Sequence, residues 1–399
     1  MKQRNVAIEI WRFLISVAII GFHVGWIIAM SCDGSLGYWM ERSNWCFGAS
    51  EVLLIFTVTG GYFMAAHFKK RSTDAEYMQR SASSRAWDYA WGRVKSLLPV
   101  LMVGYLLGVI ISTNFFYPDY TVQDVLSMIV NSVWEFLGFH AVGLRSAGNE
   151  FFNLNGTLWF ISAMIIVGYF LYWGLCKNED AFAGCFVPLV TIFLSGWWAF
   201  TGTRAAQTAW STFGAQTAST NGMGGSADGA TGTLGFNNGL LFVMLGMMIG
   251  ILMYYGLKKL SAVEFSACAR TALTVFNVLC SVLLMWYTIY QPTYFDLDRW
   301  TVSFLCIAVV AMSLLNKDGL TALLNNKATN KLFAYLGSIS LYVYMLHYPV
   351  GILVLRIYGK NSEASIYSFW QVFLPTVVLT LVLSVVTKIA MEKTVLKKK

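Results

Sequence analysis

Ten predominantly apolar stretches dominate this chain, at 7–30, 46–68, 97–117, 158–176, 181–201, 237–257, 271–290, 300–316, 333–355 and 367–390. Each is about 17–25 residues long, which as a helix rising ~1.5 Å per residue spans the ~30 Å hydrocarbon layer of a bilayer. Inside that layer a helix satisfies its own backbone hydrogen bonds. Composition excludes a soluble fold with many buried helices: 57% of residues are hydrophobic and 12% charged, against about 25% charged in soluble domains. Mean hydropathy is +0.59. The expected fold is therefore an all-α polytopic membrane protein of about ten transmembrane helices, forming a single domain over 1–399.

Charge sets the expected orientation. Of the 28 Lys and Arg residues, Arg12 lies within the first stretch. Six (Arg42, Arg145, Arg204, Arg299, Arg356 and Lys360) fall in one set of alternating connections, and the remaining 21 in the other. Cytoplasmic loops carry the excess of Lys and Arg, so both termini and the basic connection 69–95 are expected inside. The net charge of +8 then reflects topology and anionic inner-leaflet lipids, with no nucleic-acid partner. The first stretch lacks a small-residue cleavage site and is expected to be retained, not removed as a signal peptide. No second domain is expected after the tenth stretch.

Two of the expected outer connections are long. Residues 117–157 include an amphipathic run at 121–139 suited to the membrane interface, and 202–236 are rich in Gly, Ala, Ser and Thr, the composition of a flexible loop. Cys176, Cys185, Cys268, Cys280 and Cys306 sit in or beside apolar stretches without metal-ligand spacing, so no metal site is expected. Cys32 and Cys46 fall in or beside the first outer connection, where either a disulfide or two free thiols is compatible with the sequence.

Functional interest concentrates in the first stretch, where Glu9, Arg12, Ser16 and His23 share one side of a helix. Arg12 and His23 are eleven residues apart, about three turns and ~16 Å. An ionised side chain at the centre of a membrane helix costs at least ~2.5–3.5 kcal/mol, so such a stripe points to a polar cavity and a candidate active site. The plainer reading is that Arg12 snorkels to the interface and His23 hydrogen-bonds a neighbouring helix. Ser340, Tyr344 and His347 also share a face, either as a second polar wall or as polar glue near Pro349, which frees backbone groups. Glu51 is an intramembrane carboxylate and a candidate acceptor-site group. Asn155 and Trp159 are candidates to grip a sugar, with an interfacial aromatic belt the alternative for Trp159. His67 reads as an interfacial side chain, and His140 has no evident partner.

Several of these segments together resemble the acyltransferase-3 family, the bacterial integral-membrane acyltransferases that modify glycans, lipids and related molecules. Glu9, Arg12 and His23 meet the family's opening pattern, with Glu in place of the commoner Asp. Phe56-Thr-Val-Thr-Gly60-Gly61-Tyr-Phe63 is similar to its aromatic Ser-Gly-aromatic segment, with Thr or Gly where Ser is usual. Arg93-Val-Lys95-Ser96-Leu-Leu-Pro99 resembles the basic stretch before the proline that opens the third helix, with one basic position shifted. Asn155-Gly-Thr-Leu-Trp159-Phe and Gly337-Ser-Ile-Ser340-Leu-Tyr342-Val-Tyr344-Met-Leu-His347-Tyr-Pro349 match two further motifs.

The resemblance implies transfer of an acyl group from cytoplasmic acyl-CoA, acetyl-CoA being the expected form, to a hydroxyl of a glycan or similar acceptor at the outer face of a bacterial cytoplasmic membrane. His23 would be the general base, since an imidazole of pKa ~6.5 takes and returns a proton near neutrality. Arg12, paired with Glu9, would anchor the donor, and Lys69, Lys70, Arg93 and Lys95 would attract its anionic nucleotide end. A reading from another class is a secondary transporter or saccharide carrier using the Glu9/Arg12/His23 stripe for substrate or protons. Transporters commonly show repeated halves, and no such repeat is evident here.

Overall fold

The computed structural model describes residues 5–31, 51–111, 113, 121–133, 157–201, 238–289, 299–358 and 366–394. Among these, all regular structure is helical, in the order α1 (Val6–Ser31), α2 (Leu54–Arg71), α3 (Ala75–Gln79), α4 (Ala82–Ile111), α5 (Val122–Asn131), α6 (Leu158–Lys177), α7 (Val187–Thr201), α8 (Asn238–Ser261), α9 (Ala267–Ile289), α10 (Arg299–Leu315), α11 (Gly319–Leu324), α12 (Lys327–Tyr358) and α13 (Ile366–Thr394). A helix stands at each of the ten apolar stretches. Eight are long and apolar enough to cross a membrane by length and composition, one of them entering α7 from Glu179 through a π-turn at Phe182–Phe186. Of the other two, α10 offers the shorter apolar run Trp300–Leu315, and α2 ends in three cations, Lys69, Lys70 and Arg71.

One helix start departs furthest from the sequence expectation. The third long helix starts at Ala82 instead of near 97, with Pro99 in its interior; the helix tolerates the missing N–H and local bend that proline imposes. The connection 69–95 is consequently no open basic loop. Asp74 caps the short α3 through its side chain, and Arg85, at the start of α4, is buried with Nη2 donating to the Cys176 carbonyl at 2.8 Å. The Tyr77 hydroxyl meets that of Tyr172 at 3.0 Å. These contacts fasten the segment onto the end of α6.

The main apolar core joins α2, α6, α8 and α10 with parts of α1, α4, α7, α9 and α12, and a second cluster joins α1 and α12 to α13 through Ile20, Val24, Val343, Phe369, Val372 and Phe373. Two helix pairs pack most extensively, α1 with α12 and α2 with α8. The second closes on glycine. A Cβ on Gly61 would lie 2.0 Å from the Met247 carbonyl oxygen, and one on Gly250 would lie 2.1 Å from that of Val58. Small residues allow this backbone approach, which gives membrane helices their van der Waals contact. The start of α1 is tied down too, because the Val6 N–H donates to Asn325 Oδ1 at 2.9 Å.

The amphipathic run expected at 121–139 is partly described, as α5. Its first turn carries a capping box between Thr121 and Asp124. The Thr121 hydroxyl, and secondarily its N–H, hold the Asp124 carboxyl below the usual carboxylate range. Val122, Leu126 and Val130 are exposed, while Tyr105 of α4 binds Ser132 and the Ile129 carbonyl. This is the arrangement of a helix lying against the bundle with apolar side chains turned outward.

Candidate active site

The polar residues of α1 face α12, and the two sets expected as separate walls form one seam. At its basic end Gly337 lies over Glu9 so closely that a Cβ there would meet the Glu9 carboxylate, Cβ and backbone Cα. Arg12 Nη1 is 3.5 Å from Glu9 Oε2, with both side chains largely covered. One turn on, the Ser16 hydroxyl is 2.8 Å from the Arg12 carbonyl and 3.2 Å from that of Ser340, while the Ser340 hydroxyl donates to the Gly337 carbonyl at 2.8 Å. Serine hydroxyls bonded back to their own helix turn leave backbones free to close.

At the other end of the seam His23 and His347 meet. His347 Nε2 is 3.0 Å from His23 Nδ1, and the ring centroids are 4.9 Å apart. His347 is buried, whereas His23 is only partly so. His347 Nδ1 approaches the carbonyls of Tyr344 at 2.8 Å and Val343 at 3.2 Å, and His23 Nδ1 approaches that of Ile19 at 3.0 Å. Pro349, two residues beyond His347, lies inside the helix and removes one backbone donor from it. Phe22 and Tyr348 stand edge-on to the His23 ring at 5.5 and 5.7 Å.

The remaining candidates divide between this seam and its surroundings. Tyr344 is buried, with its hydroxyl donating to the Thr157 carbonyl at 3.3 Å and its ring 5.7 Å from that of Phe160. This contact brings the start of α6, including Trp159, to the seam. Trp159 is 7% exposed, which sets it inside the bundle and not in a lipid-facing belt. Glu51 is buried in the turn before α2, where the Cys306 thiol donates to its carbonyl. Asn155 lies outside the described residues, as do Cys32, Cys46, His140 and the connection 202–236.

The basic candidates lie at the end of α2 and along the middle of α4, with unequal freedom. Lys69 Nζ is 2.7 Å from Glu179 Oε2, and that carboxylate also accepts from the Tyr255 hydroxyl at 2.6 Å. Lys70, Arg93 and Lys95 are exposed, Arg93 over the Tyr89 ring and Lys95 over that of Trp91. His67 is exposed beside Tyr89 and Tyr172. Two cations here were not singled out from sequence: Arg85, described above, and Lys388 of α13, which contacts the Ser338 hydroxyl and lies over the Tyr335 ring. Neither sits in a recognisable motif; for Lys388 the signal available was a cation at the edge of an apolar run, whereas Arg85 lies twelve residues ahead of one and carried none.

The comparison with protein families is decisive at the level of the whole chain. A profile described as an acyltransferase domain, that of the acyltransferase-3 family, matches residues 5–389. The chain belongs to this family. No curated protein and no solved structure matches it. Family membership makes the chain a membrane-embedded acyltransferase, and the matched region includes the whole α1–α12 seam.

Proposed function

We propose that this acyltransferase takes an acyl group, expected to be acetyl, from acyl-CoA on the cytoplasmic side and transfers it to a hydroxyl of a glycan or similar acceptor at the outer face of a bacterial cytoplasmic membrane. The observation that carries this reading is the chemical order along α1: an Arg–Glu pair at the basic end and a partly exposed histidine three turns further, on one polar seam. The ~16 Å between them is comparable to an extended pantetheine arm, so a donor phosphate near Arg12 leaves the thioester near His23. Arg93, Lys70 and Lys95 then form an electrostatic collar for the nucleotide, with Lys69 held back by Glu179.

In the reaction His23 accepts the proton of the acceptor hydroxyl while its oxygen attacks the thioester carbonyl carbon. The carbon–sulfur bond breaks, and His23 returns the proton to the departing thiolate. The basic residues in the last turns of α2, α6, α8 and α13 support a cytoplasmic location for that end of the bundle. Purified protein in vesicles, given labelled acetyl-CoA, should label an acceptor or slowly hydrolyse the thioester. His23→Ala should reduce turnover by ~10²–10⁴-fold with donor binding retained. Wild-type protein inert toward acetyl-CoA but active with another donor would overturn the donor assignment, and near-normal transfer by folded His23→Ala would overturn the base.

A further inference from the structure

We propose that His347 is a positioning residue for His23, holding that ring with hydrogen on Nδ1 and its lone pair on Nε2 and stabilising the imidazolium formed during transfer. The proposal rests on the reading of His23 as the base, and it identifies which nitrogen does the work.

The carbonyls decide the tautomers. A carbonyl oxygen carries no hydrogen, so a ring nitrogen at hydrogen-bond distance from one is the donor. His347 Nδ1 faces the Tyr344 and Val343 carbonyls at 2.8 and 3.2 Å, so it bears the hydrogen and neutral His347 presents a lone pair at Nε2. That lone pair points at His23 Nδ1, 3.0 Å away. His23 Nδ1 also faces the Ile19 carbonyl at 3.0 Å, so it bears hydrogen too, shared between the two acceptors. The opposite assignment would set nitrogen lone pairs against all three carbonyl oxygens.

His23 Nε2 is thereby left as the basic atom, and no hydrogen-bond partner holds it among the described residues. Burial agrees with the division of labour: His347 is 1% exposed and lies behind, whereas His23 keeps part of its surface. When Nε2 takes the acceptor's proton, both nitrogens of His23 become donors. The existing Nδ1–H bond to His347 Nε2 then becomes charge-assisted, roughly doubling in strength. When the proton passes to the thiolate the pair returns to its starting state, and His347 has gained and lost nothing. The role is that of the third member of a catalytic triad, filled by a neutral ring.

Three variants of the full-length protein test this, with acetyl-CoA as donor. His347→Met keeps length and bulk without a comparable acceptor, while His347→Gln offers Oε1 near the position of the imidazole Nε2. Met should lower kcat by about 10–100-fold with KM for acetyl-CoA unchanged, and Gln should recover most of the loss. Equal turnover in the Met and Gln variants, whether high or low, would overturn the proposal, because bulk alone would then account for the residue. With only four histidines in the chain, nitrogen-15 histidine labelling of the wild-type protein gives a second readout. The His23 signals, assigned by their absence in His23→Ala, should show unprotonated Nε2 at neutral pH, and a protonated Nε2 would overturn the assignment. Near-normal transfer by His23→Ala would instead sink the base itself, a failure separable from that of His347.

Discussion

Two helix pairs in this bundle approach until glycine is needed between them, α2 with α8 and α1 with α12, and they enclose different things. Between α2 and α8 backbone meets backbone: Gly61 faces the Met247 carbonyl, and Gly250 faces the Val58 carbonyl and the Tyr62 N–H. Between α1 and α12 the glycine, Gly337, faces the Glu9 carboxylate along with its Cβ and Cα, and beyond it follow two serines and two histidines in contact. Close approach in a membrane is thus a general device for packing, and what separates a structural seam from a candidate site is the set of ionisable groups held in it. Such groups are expensive at membrane depth and need a purpose or a partner.

The largest test of the comparison is at the dry seam. Gly250→Leu sets side-chain atoms where two backbone groups already stand at 2.1 and 2.7 Å from a single Cβ, and neither backbone group can rotate away. Overpacking of this kind costs ~1–3 kcal/mol even when neighbours can yield, and more when they cannot. The expected outcome is loss of folded protein in detergent, read by size-exclusion and thermal melting, with any residual folded fraction retaining ordinary turnover per molecule. A second change sharpens the contrast. Gly337→Ala should also lower the melting temperature, because the added Cβ meets the Glu9 Cβ and Cα as well as its carboxylate, and in addition it should lower turnover per folded molecule severalfold by disturbing the Glu9–Arg12 pair. If Gly337→Ala cost only stability, the α1–α12 seam would be packing of the same kind as the other.

The two seams were not equally legible in the sequence. The Glu9, Arg12, Ser16 and His23 stripe is visible because ionisable residues are rare in apolar runs, and so is the face of Ser340, Tyr344 and His347. That the two faces meet follows from tertiary packing between segments more than 300 residues apart, which no local period encodes. The Gly61/Gly250 contact was missed because glycine is common in membrane helices, and Gly246-Met-Met-Ile-Gly250 announces an interface without naming its partner. Ten apolar stretches gave ten helix positions, but the start of α4 and the interior placement of Pro99 were misjudged. There a polar helical run precedes the apolar one, and hydropathy marks only the latter. Likewise Lys69 was grouped with the free cations, since nothing local reveals a carboxylate 110 residues away.

Within the polar seam the next expected effect belongs to Arg12. Its planar guanidinium can hold a donor phosphate through paired hydrogen bonds and keep Glu9 as well, which a lysine ammonium cannot reproduce. Arg12→Lys should raise KM for acetyl-CoA about tenfold while leaving kcat nearly unchanged, the signature of an interaction made equally in ground and transition states. A fall in kcat at constant KM would move Arg12 from donor anchoring to the chemical step.

The smallest effect separates the two kinds of cation at the basic end. Lys69 is bound to Glu179, which Tyr255 also holds, so its charge is already answered within the fold. Arg93 is exposed and packs only its flat face, over Tyr89. Lys69→Met should therefore change stability by no more than ~1 kcal/mol, the usual worth of a partly exposed ion pair, and leave the donor KM alone. Arg93→Met should leave the melting temperature unchanged and raise the donor KM two- to fivefold at low ionic strength, a difference that shrinks as salt screens the field over a Debye length of ~10 Å at 0.1 M. Measured donor KM values across a salt series decide between them. If Lys69→Met showed the larger, salt-sensitive rise, the Glu179 pair would have to open when donor binds, and the capture site would lie nearer α2 than α4.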